Sequence, residues 1–421
     1  MLDIKIIRQN PEKVKDGCKK KRVDVDIDKL LEVNKKRLEI LQSLEDIRAQ
    51  KNKATKKISE SKNKEEREKI ITEMKELDKK SDDLNEKLKI VEKEFNELMY
   101  LIPNLPLEDV PVGIDDRDNV VLKEVGEKTQ FDFQVKDHLL LGESLDIIDT
   151  QRAAKTSGAR FGFLKNEAAL LEFALVNFCL ENLLKEGFTP LIPPVLIKPE
   201  MMRGMGYVER GGDEIYYIEK DNLYLIGTAE QIIGTMHAGE TFEEKDLPKR
   251  YIGFSSCFRR EAGSYGKDTK GIFRVHQFDK LEMFSFCKPE DSKKEHQFFL
   301  TIEERLMQSL KIPYRVLSIC TGDLGDSAAA KYDIEAWLPS QNRYRETHST
   351  SNCTDFQARR LGIRYKNNNR KLNFVHTVNG TAFAIGRTII AILENYQTKE
   401  GSVKIPDVLQ KYIGKQEIIK K

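Results

Sequence analysis

The 421-residue chain has no apolar run long enough for a helical membrane span, which needs about 18 residues or more. Its N-terminus, MLDIKIIRQNPEKVKD, has no apolar leader core, and a soluble cytoplasmic protein is expected. Cysteine is sparse and scattered, at positions 18, 179, 257, 287, 320 and 353. With no CxxC pair, a thiolate-rich structural zinc site and a dense disulfide framework are both disfavoured. Neither GxGxxG nor GxxxxGK[ST] occurs, which weakens the nucleotide folds built on those loops. Net charge is nearly absent too. Lys and Arg total 71 against 69 Asp and Glu, a formal +2, although 33% of residues are charged. Any nucleic-acid surface must therefore be local.

What the chain does have falls into two parts. Residues 28–100 contain neither glycine nor proline and are dense in Lys, Glu and Asp. Apolar residues recur at Ile70, Met74, Leu77, Leu84, Leu88, Val91, Phe95 and Leu98, with intervals of 4, 3, 7, 4, 3, 4 and 3. That is a heptad seam, with Ser81 in its one polar slot. Upstream, Leu30, Val33, Leu38, Leu41, Leu44, Ile47, Ala54 and Ile58 form a looser helical pattern. The break between them is SESKNKEE, Ser59 to Glu66. Two antiparallel helices, about 28–58 and 66–100, are predicted as a coiled-coil arm. Between Arg48 and Lys64 seven basic residues (Arg48, Lys51, Lys53, Lys56, Lys57, Lys62, Lys64) face one acid, Glu60. This basic tip is either a solvated coiled-coil surface or a surface for a phosphate backbone.

Ile102-Pro103-Asn104-Leu105-Pro106 ends the arm, because proline cannot continue a helix. Residues 107–130 are charged and strand-poor and read as a linker. From about 131 helix and strand patterns mix. Ala168 to Lys185 reads as a buried helix, and Pro190, Pro193 and Pro194 restrict Gly187–Lys198 to an edge strand or irregular extended segment. Extended segments are predicted at Leu223–Ile226, Tyr251–Arg259, Arg274–Phe286, Tyr314–Ile319, Lys331–Leu338, Tyr344–His348 and Phe374–Asn379. The expected fold class is α+β, an antiparallel sheet flanked by helices.

The densest chemistry lies in FRREAGSYGKDTKGIFRVHQFDKLEMF, Phe258 to Phe284. Strand alternation places Arg259 with Glu261, and Arg274, His276, Phe278, Lys280 and Glu282 together, opposite Val275, Leu281 and Met283. Singly, each charge suits a solvent face. As a set they suit a nucleotide: arginines clamp phosphates, carboxylates hold Mg²⁺ or an ammonium, and a phenyl ring stacks on a purine. The connecting loop holds Gly263, Gly266 and Gly271 beside Lys267, Asp268 and Lys270, and its glycines allow φ above zero and close backbone approach. A second cluster is Arg345-Glu346-Thr347-His348-Ser349. A third, Asn379 to Arg387, reads as a strand, a tight glycine turn and the entry to an apolar helix. Arg387 opposes the helix dipole there, which hints at an anion.

Six segments in these regions, TSGARF (156–161), GTAE (227–230), FRREAG (258–263), VHQFDKLE (275–282), SNCTDFQARR (351–360) and HTVNGTAFAIGR (376–387), together with the arm, closely resemble bacterial-type seryl-tRNA synthetases. The resemblance covers essentially the whole chain. It implies a class II aminoacyl-tRNA synthetase body (131–421), an N-terminal tRNA-binding domain (1–106) and the 107–130 linker. The implied reaction activates L-serine with ATP to seryl-adenylate and transfers serine to the 3′ end of tRNA(Ser), and of tRNA(Sec) where it exists. Magnesium is expected, with Glu346 and Ser349 as its ligands, and no structural zinc.

The resemblance also assigns roles by motif. Arg259 resembles the arginine joining substrate carboxylate and α-phosphate, and Arg387 the one clamping the γ-phosphate. Glu261 resembles a residue near adenine and ribose, and Phe278 the ring stacked on adenine. Glu282 with Thr228 resembles the ammonium site, Glu230 a binding or ordering residue, and Asn379 and Thr381 the readers of the serine side chain. Arg259, Arg387 and Glu346 would carry catalysis, while Arg48, Lys51, Lys53, Lys56 and Lys57 would meet tRNA. The proline-rich segment at 187–198 resembles the first class II motif, which implies a homodimer. This chain has Gly227 where many relatives have proline before Thr-Ala-Glu, and Glu346-Thr347-His348-Ser349-Thr350-Ser351-Asn352-Cys353 where their common pattern is EVSSCSNC. The alternative reading is an ATP-dependent amino-acid ligase that does not charge tRNA. The complete arm argues against it.

Overall fold

The computed structural model describes residues 1–210, 212–262 and 270–419. The chain divides into two compact units, Leu2–Lys19 with Val23–Pro103, and a body made of Met1, Lys20–Arg22 and Asn104–Lys421.

In the first unit two long helices, α1 (Ile27–Glu60) and α2 (Lys64–Leu101), pack against each other. The Asp26 carboxylate caps α1 by accepting from Lys29 N at 2.8 Å, and Asn63 caps α2 by accepting from Glu65 N at 3.0 Å. Glu65 and Glu66 in the first turn of α2 complement its dipole. The expected seam positions, from Ile70 through Ser81 to Leu98, are half-buried or buried, as are Glu92, Met99 and Tyr100 outside the expected set, whereas Ile71 and Ile90 off the seam are exposed. On α1 the seam is less regular than the apolar pattern implied. Leu38 is exposed, while Arg37 lies 5.3 Å from the Phe95 ring and donates to Glu92 at 3.0 Å. At 34 and 38 residues the helices run about 50 Å or more.

The body is built on one eight-stranded sheet. Its strands are β1 (Val120–Val125), β2 (Thr189–Leu191), β3 (Lys249–Phe258), β4 (Gln277–Cys287), β5 (Tyr314–Ser318), β6 (Ala330–Leu338), β7 (Arg343–Thr354) and β8 (His376–Ala384). Their order is β1-β5-β6-β7-β8-β4-β3-β2, antiparallel except for the β2–β3 pair. The proline-bearing segment thus supplies an edge strand. Residues 107–130, read as a strand-poor linker, supply the other edge through β1, which is exposed along most of its length. Helices α3 (Asn166–Lys185), α4 (Ser292–Ser309) and α5 (Ile385–Asn395) share a core with the sheet, including Leu171, Leu175, Leu281, Met283, Phe299, Leu306, Ile389 and Leu393.

The expected glycine turn between Asn379 and Arg387 is not formed. Strand β8 continues to Ala384 and α5 begins at Ile385. Gly380 sits inside that strand, opposite Met283 on one side and Thr350 on the other. A side chain there would stand 2.8 Å from Glu303 Oε1, 3.1 Å from Thr350 Oγ1 and 3.2 Å from Phe299 Cδ2. The glycine answers a packing demand. At Gly386 the nearest group to an added Cβ is Ile272 O at 3.6 Å. Gly380→Ala should therefore destabilise the body by about 1–3 kcal/mol, and Gly386→Ala by less than about 0.5 kcal/mol. Thermal denaturation of the two variants beside the parent checks this, and equal midpoints would refute it.

Candidate functional site

The sheet register assembles the site. Strand β3 ends at Phe258, so Arg259 and Glu261 do not lie on a regular strand face as alternation implied; Glu261 has φ +52°. The two legs remain paired, with Arg259 N donating to His276 O at 3.0 Å and His276 Nδ1 donating back to Arg259 O at 3.0 Å. Arg259 Nε donates to Gly227 O at 3.2 Å, and its guanidinium lies 5.2 Å from the Phe278 ring centre. The Glu261 carboxylate meets Arg274 at 2.9 Å, and its carbonyl accepts from Arg160 of the TSGARF segment at 3.3 Å. Of the loop that alternation placed between them, Gly263, Gly266, Lys267 and Asp268 lie outside the described residues.

A cavity of about 380 Å³ opens at one end of this array. Thr228, Glu230, Arg259, Lys280, Glu282, Ser349 and Asn379 line it. Thr228 Oγ1 caps the short helix Ala229–Ile233 by accepting from Glu230 N at 3.3 Å. The Glu230 carboxyl receives Tyr207 Oη at 2.7 Å and Gln357 Nε2 at 3.1 Å, and Gln357 in turn accepts from Thr377 at 2.7 Å. Burial and then the nearby Glu282 push the Glu230 carboxyl above its ordinary range, against those two donors. Its oxygens are already engaged, which suits an ordering role. Glu282 is 1% exposed and forms an ion contact with Lys280. Asn379 Nδ2 donates weakly to Cys353 Sγ at 3.6 Å.

An adjoining cleft is lined by Glu261, Phe273, Arg274, Phe278, Glu346, Thr381 and Arg387. Arg259, Lys280 and Ser349 line both spaces. Arg387 Nη1 donates to the Glu346 carboxylate at 3.2 Å and to its carbonyl at 3.1 Å, and stacks 4.8 Å from Phe273. Enclosure by protein opposes ionisation of Glu346, but Arg387, Lys331 and Arg259 outweigh it and hold the carboxyl at about 2. Thr381 lies on the side of this cleft, opposite Glu282 in the register, whereas Asn379 faces the first cavity.

The body residues given site roles by resemblance therefore each line one of two adjoining spaces, whereas His276, grouped with them by alternation, lines neither. Tyr207, Arg274, Lys280 and Lys331 join them without having been assigned a role by motif, and Gln357 holds Glu230 from outside the lining. Gln357 lies inside a quoted motif; Tyr207 carries no local signal. The arm candidates Arg48, Lys51, Lys53, Lys56 and Lys57 stand on α1 in the other unit. Lys51 is tied to Asp78 at 2.5 Å and Lys56 lies 3.9 Å from Glu60, while Arg48, Lys53, Lys56 and Lys57 are exposed. Among the described residues no group of three or more His, Cys, Asp or Glu side chains is arranged to hold a metal.

Comparisons with known proteins agree over both units. Residues 1–106 match the seryl-tRNA synthetase N-terminal domain, and residues 216–396 the class II tRNA synthetase core domain (G, H, P, S and T). The serine–tRNA ligase of Dictyoglomus turgidum is 46% identical over 422 residues, covering 99% of each chain. That of Corynebacterium kroppenstedtii is 45% identical, covering 100% of this chain and 99% of its own. The crystal structure of seryl-tRNA synthetase from Pyrococcus horikoshii complexed with ATP superposes with a TM-score of 0.93 at 41% identity, covering 100% of both chains. The Naegleria fowleri cytoplasmic serine–tRNA ligase in complex with AMP gives 0.88 at 34%, covering 100% of this chain and 99% of its own.

Two buried histidines lie on or against β7. His348 contacts Thr347 Oγ1 at 2.8 Å, and His296 Nε2 donates to Thr350 O at 2.9 Å. Burial lowers both, to about 3 and about 4, so neither is charged at neutral pH. The unfolded chain takes up protons near the ordinary value of 6.5, before either folded ring does. Their contribution to stability is thus fully present above about 6.5 and is lost as pH falls through 4 toward 3. The denaturation midpoint should drop across that window, and His296→Gln should shallow the drop. An unchanged pH slope in the variant would refute the assignment.

Proposed function

The chain belongs to the seryl-tRNA synthetase family, and from that premise we propose how its residues divide the work. The reaction is the ligation of serine to tRNA. Serine carboxylate attacks the α-phosphate of ATP, giving seryl-adenylate and pyrophosphate. A terminal ribose hydroxyl of tRNA(Ser) then attacks the activated carbonyl, and AMP leaves. The observation that carries the division of roles is the pair of connected spaces, one lined by Glu230 and Glu282, the other by Phe278, Arg274 and Arg387, with Arg259 in the wall of both.

Chemistry of this kind depends on alignment and charge neutralisation. Arg259, held by Gly227 O, would bridge the serine carboxylate and the α-phosphate. Phe278 would stack on adenine, with Glu261 near the adenine and ribose end of ATP. Arg387 would take the γ-phosphate, exchanging its contact with Glu346 for a stronger anion. Glu346 is held ionised and Ser349 lies three residues along the same strand, and this oxygen donor pair would hold a magnesium ion. Bound there, the ion would neutralise phosphate charge. Glu282 with Thr228 would receive the substrate ammonium. Asn379 and Thr381 would read the hydroxyl, and a pocket made for a hydroxyl rejects alanine by leaving its own polar groups unpaired.

The basic end of α1 suits the backbone and shape of tRNA(Ser), and of tRNA(Sec) where present. Residues 1–106 would form the tRNA-binding domain and 131–421 the catalytic domain. A homodimer is supported by α3, which exposes Leu170, Phe173 (61%) and Leu184, and by Ile192 (83%) beside the β2 edge. A tRNA substrate fits a cytoplasmic setting, and no described helix is long and apolar enough to cross a membrane.

Serine-dependent ATP–pyrophosphate exchange across the amino acids, followed by charging of tRNA(Ser), tests the function directly. Arg259→Ala should lower exchange by about a hundredfold or more while leaving tRNA binding intact; a rate near the parent's would overturn its role. Replacing Lys51, Lys53, Lys56 and Lys57 by alanine should weaken tRNA charging by about tenfold or more and flatten its salt dependence. Serine-dependent exchange should stay unchanged. Equal losses in both assays would sink the arm assignment.

A further inference from the structure

We propose that Lys280 is the resident counter-cation of the amino-acid pocket and changes partner during adenylation, releasing Glu282 to the substrate ammonium and turning to the anionic groups that meet between the two spaces. The proposal rests on the adenylation reading of the site. It assigns Lys280 a part in the transition state that none of the roles above includes.

Three observations carry it. The first is burial. Lys280 is 7% exposed and Glu282 1%. An unpaired ammonium or carboxylate at such depth is costly, so the free pocket needs one to neutralise the other. Glu230, the other carboxyl there, already receives two neutral donors, Tyr207 and Gln357. The second is a shared donor. Lys280 Nζ contacts Glu282 Oε2 and also donates to Thr228 Oγ1 at 3.2 Å. Both groups proposed to receive the substrate ammonium are thus held by the same lysine in the free pocket.

The third is position. Phe278, Lys280 and Glu282 alternate along β4, so the lysine stands about 6–7 Å along the strand from each neighbour. It lines both spaces, as do Arg259 and Ser349. When a substrate ammonium reaches Glu282, two cations compete for one carboxylate, and like charges at that separation repel strongly in a water-poor pocket. A lysine has a flexible four-carbon stem and rotatable donors. Its nearest alternative anions are the serine carboxylate and the α-phosphate, which the reaction brings together beside Arg259. No proton moves and no bond is made to the lysine. The ammonium adds positive charge where negative charge accumulates in the transition state.

The test is pyrophosphate exchange with the full chain, comparing the parent, Lys280→Met and Lys280→Arg. The methionine variant should lose about a hundredfold in kcat with less than about a fivefold rise in KM for serine. It should bind a sulfamoyl analogue of seryl-adenylate at least about tenfold more weakly, while AMP affinity stays within about twofold. The arginine variant should recover part of kcat. A loss confined to serine KM would make Lys280 only a support for Glu282 and overturn the proposal. So would kcat within about threefold of the parent, or equal weakening of AMP binding. If the parent itself shows no serine-dependent exchange, the adenylation reading falls, and this proposal with it. An active parent with an indifferent methionine variant removes this proposal alone.

Discussion

The constraint on which the body depends is the cost of placing carboxylates in and beside the central sheet. Glu282, Glu346, Glu261 and Asp333 all stand in or beside the central sheet, and each has a cation against it: Lys280, Arg387, Arg274 and Lys331. A buried carboxylate without such a partner would lose its charge or cost several kcal/mol. Asp333 marks the balance. Burial pushes it up to about 7 despite Lys331 at 3.0 Å. Glu346, beside three cations, is held at about 2. Asp333 is the deeper of the two, while Glu346, whose side chain is 44% exposed, has more cations within reach, so the two are shifted in opposite directions on neighbouring strands.

These pairs require register. Arg387 reaches Glu346 because β8 runs directly into α5 while β7 lies alongside, and Glu282 meets Thr381 because β4 pairs with β8. A one-residue slip would turn each side chain to the other face. The apolar face fixes the register: Leu281 and Met283 enter the core with α3 and α5, and so present Lys280 and Glu282 to the cavity. Packing behind the sheet sets electrostatics in front of it. Gly380 shows the coupling from the other direction, since Glu303, Thr350 and Phe299 leave no room for a side chain between two strands that carry site residues.

How much of this was legible follows from the range of each interaction. The α2 seam could be read residue by residue, because a heptad is a local period with one partner. On α1 the signal failed at Leu38, where Arg37 bonds to Glu92 and covers Phe95, a contact set by the facing helix. Strand β1 was missed because an exposed edge strand has no apolar alternation, and only its pairing with Tyr314–Ser318 defines it. The supposed glycine turn failed for a similar reason: what excludes a side chain at Gly380 comes largely from α4. The charged residues were legible as three clusters, and their motifs carried a family resemblance. Their convergence on two joined spaces was not, since it depends on the order of eight strands. Tyr207 and Gln357, which hold Glu230, are visible only once that order is known.

The pairing also bears on why such a site can bind highly charged substrates. ATP brings several negative charges, and serine brings one of each sign. A site of bare cations would attract ATP but would be expensive to fold, because every cation would be buried alone. Here the free site is already neutralised pair by pair, at contacts such as Arg387–Glu346 and Arg274–Glu261 that are only partly desolvated. Incoming ligand charge then replaces a protein charge of the same sign. In the proposed scheme a phosphate would take the place of Glu346 against Arg387, and an ammonium that of Lys280 against Glu282. Each exchange frees one protein group beside the ligand: a carboxylate suited to a divalent cation, and a lysine suited to the reacting phosphate. In this scheme the ion pairs that permit the empty site to fold are the reservoir from which the reaction's charges are drawn, and stability and catalysis share the same contacts.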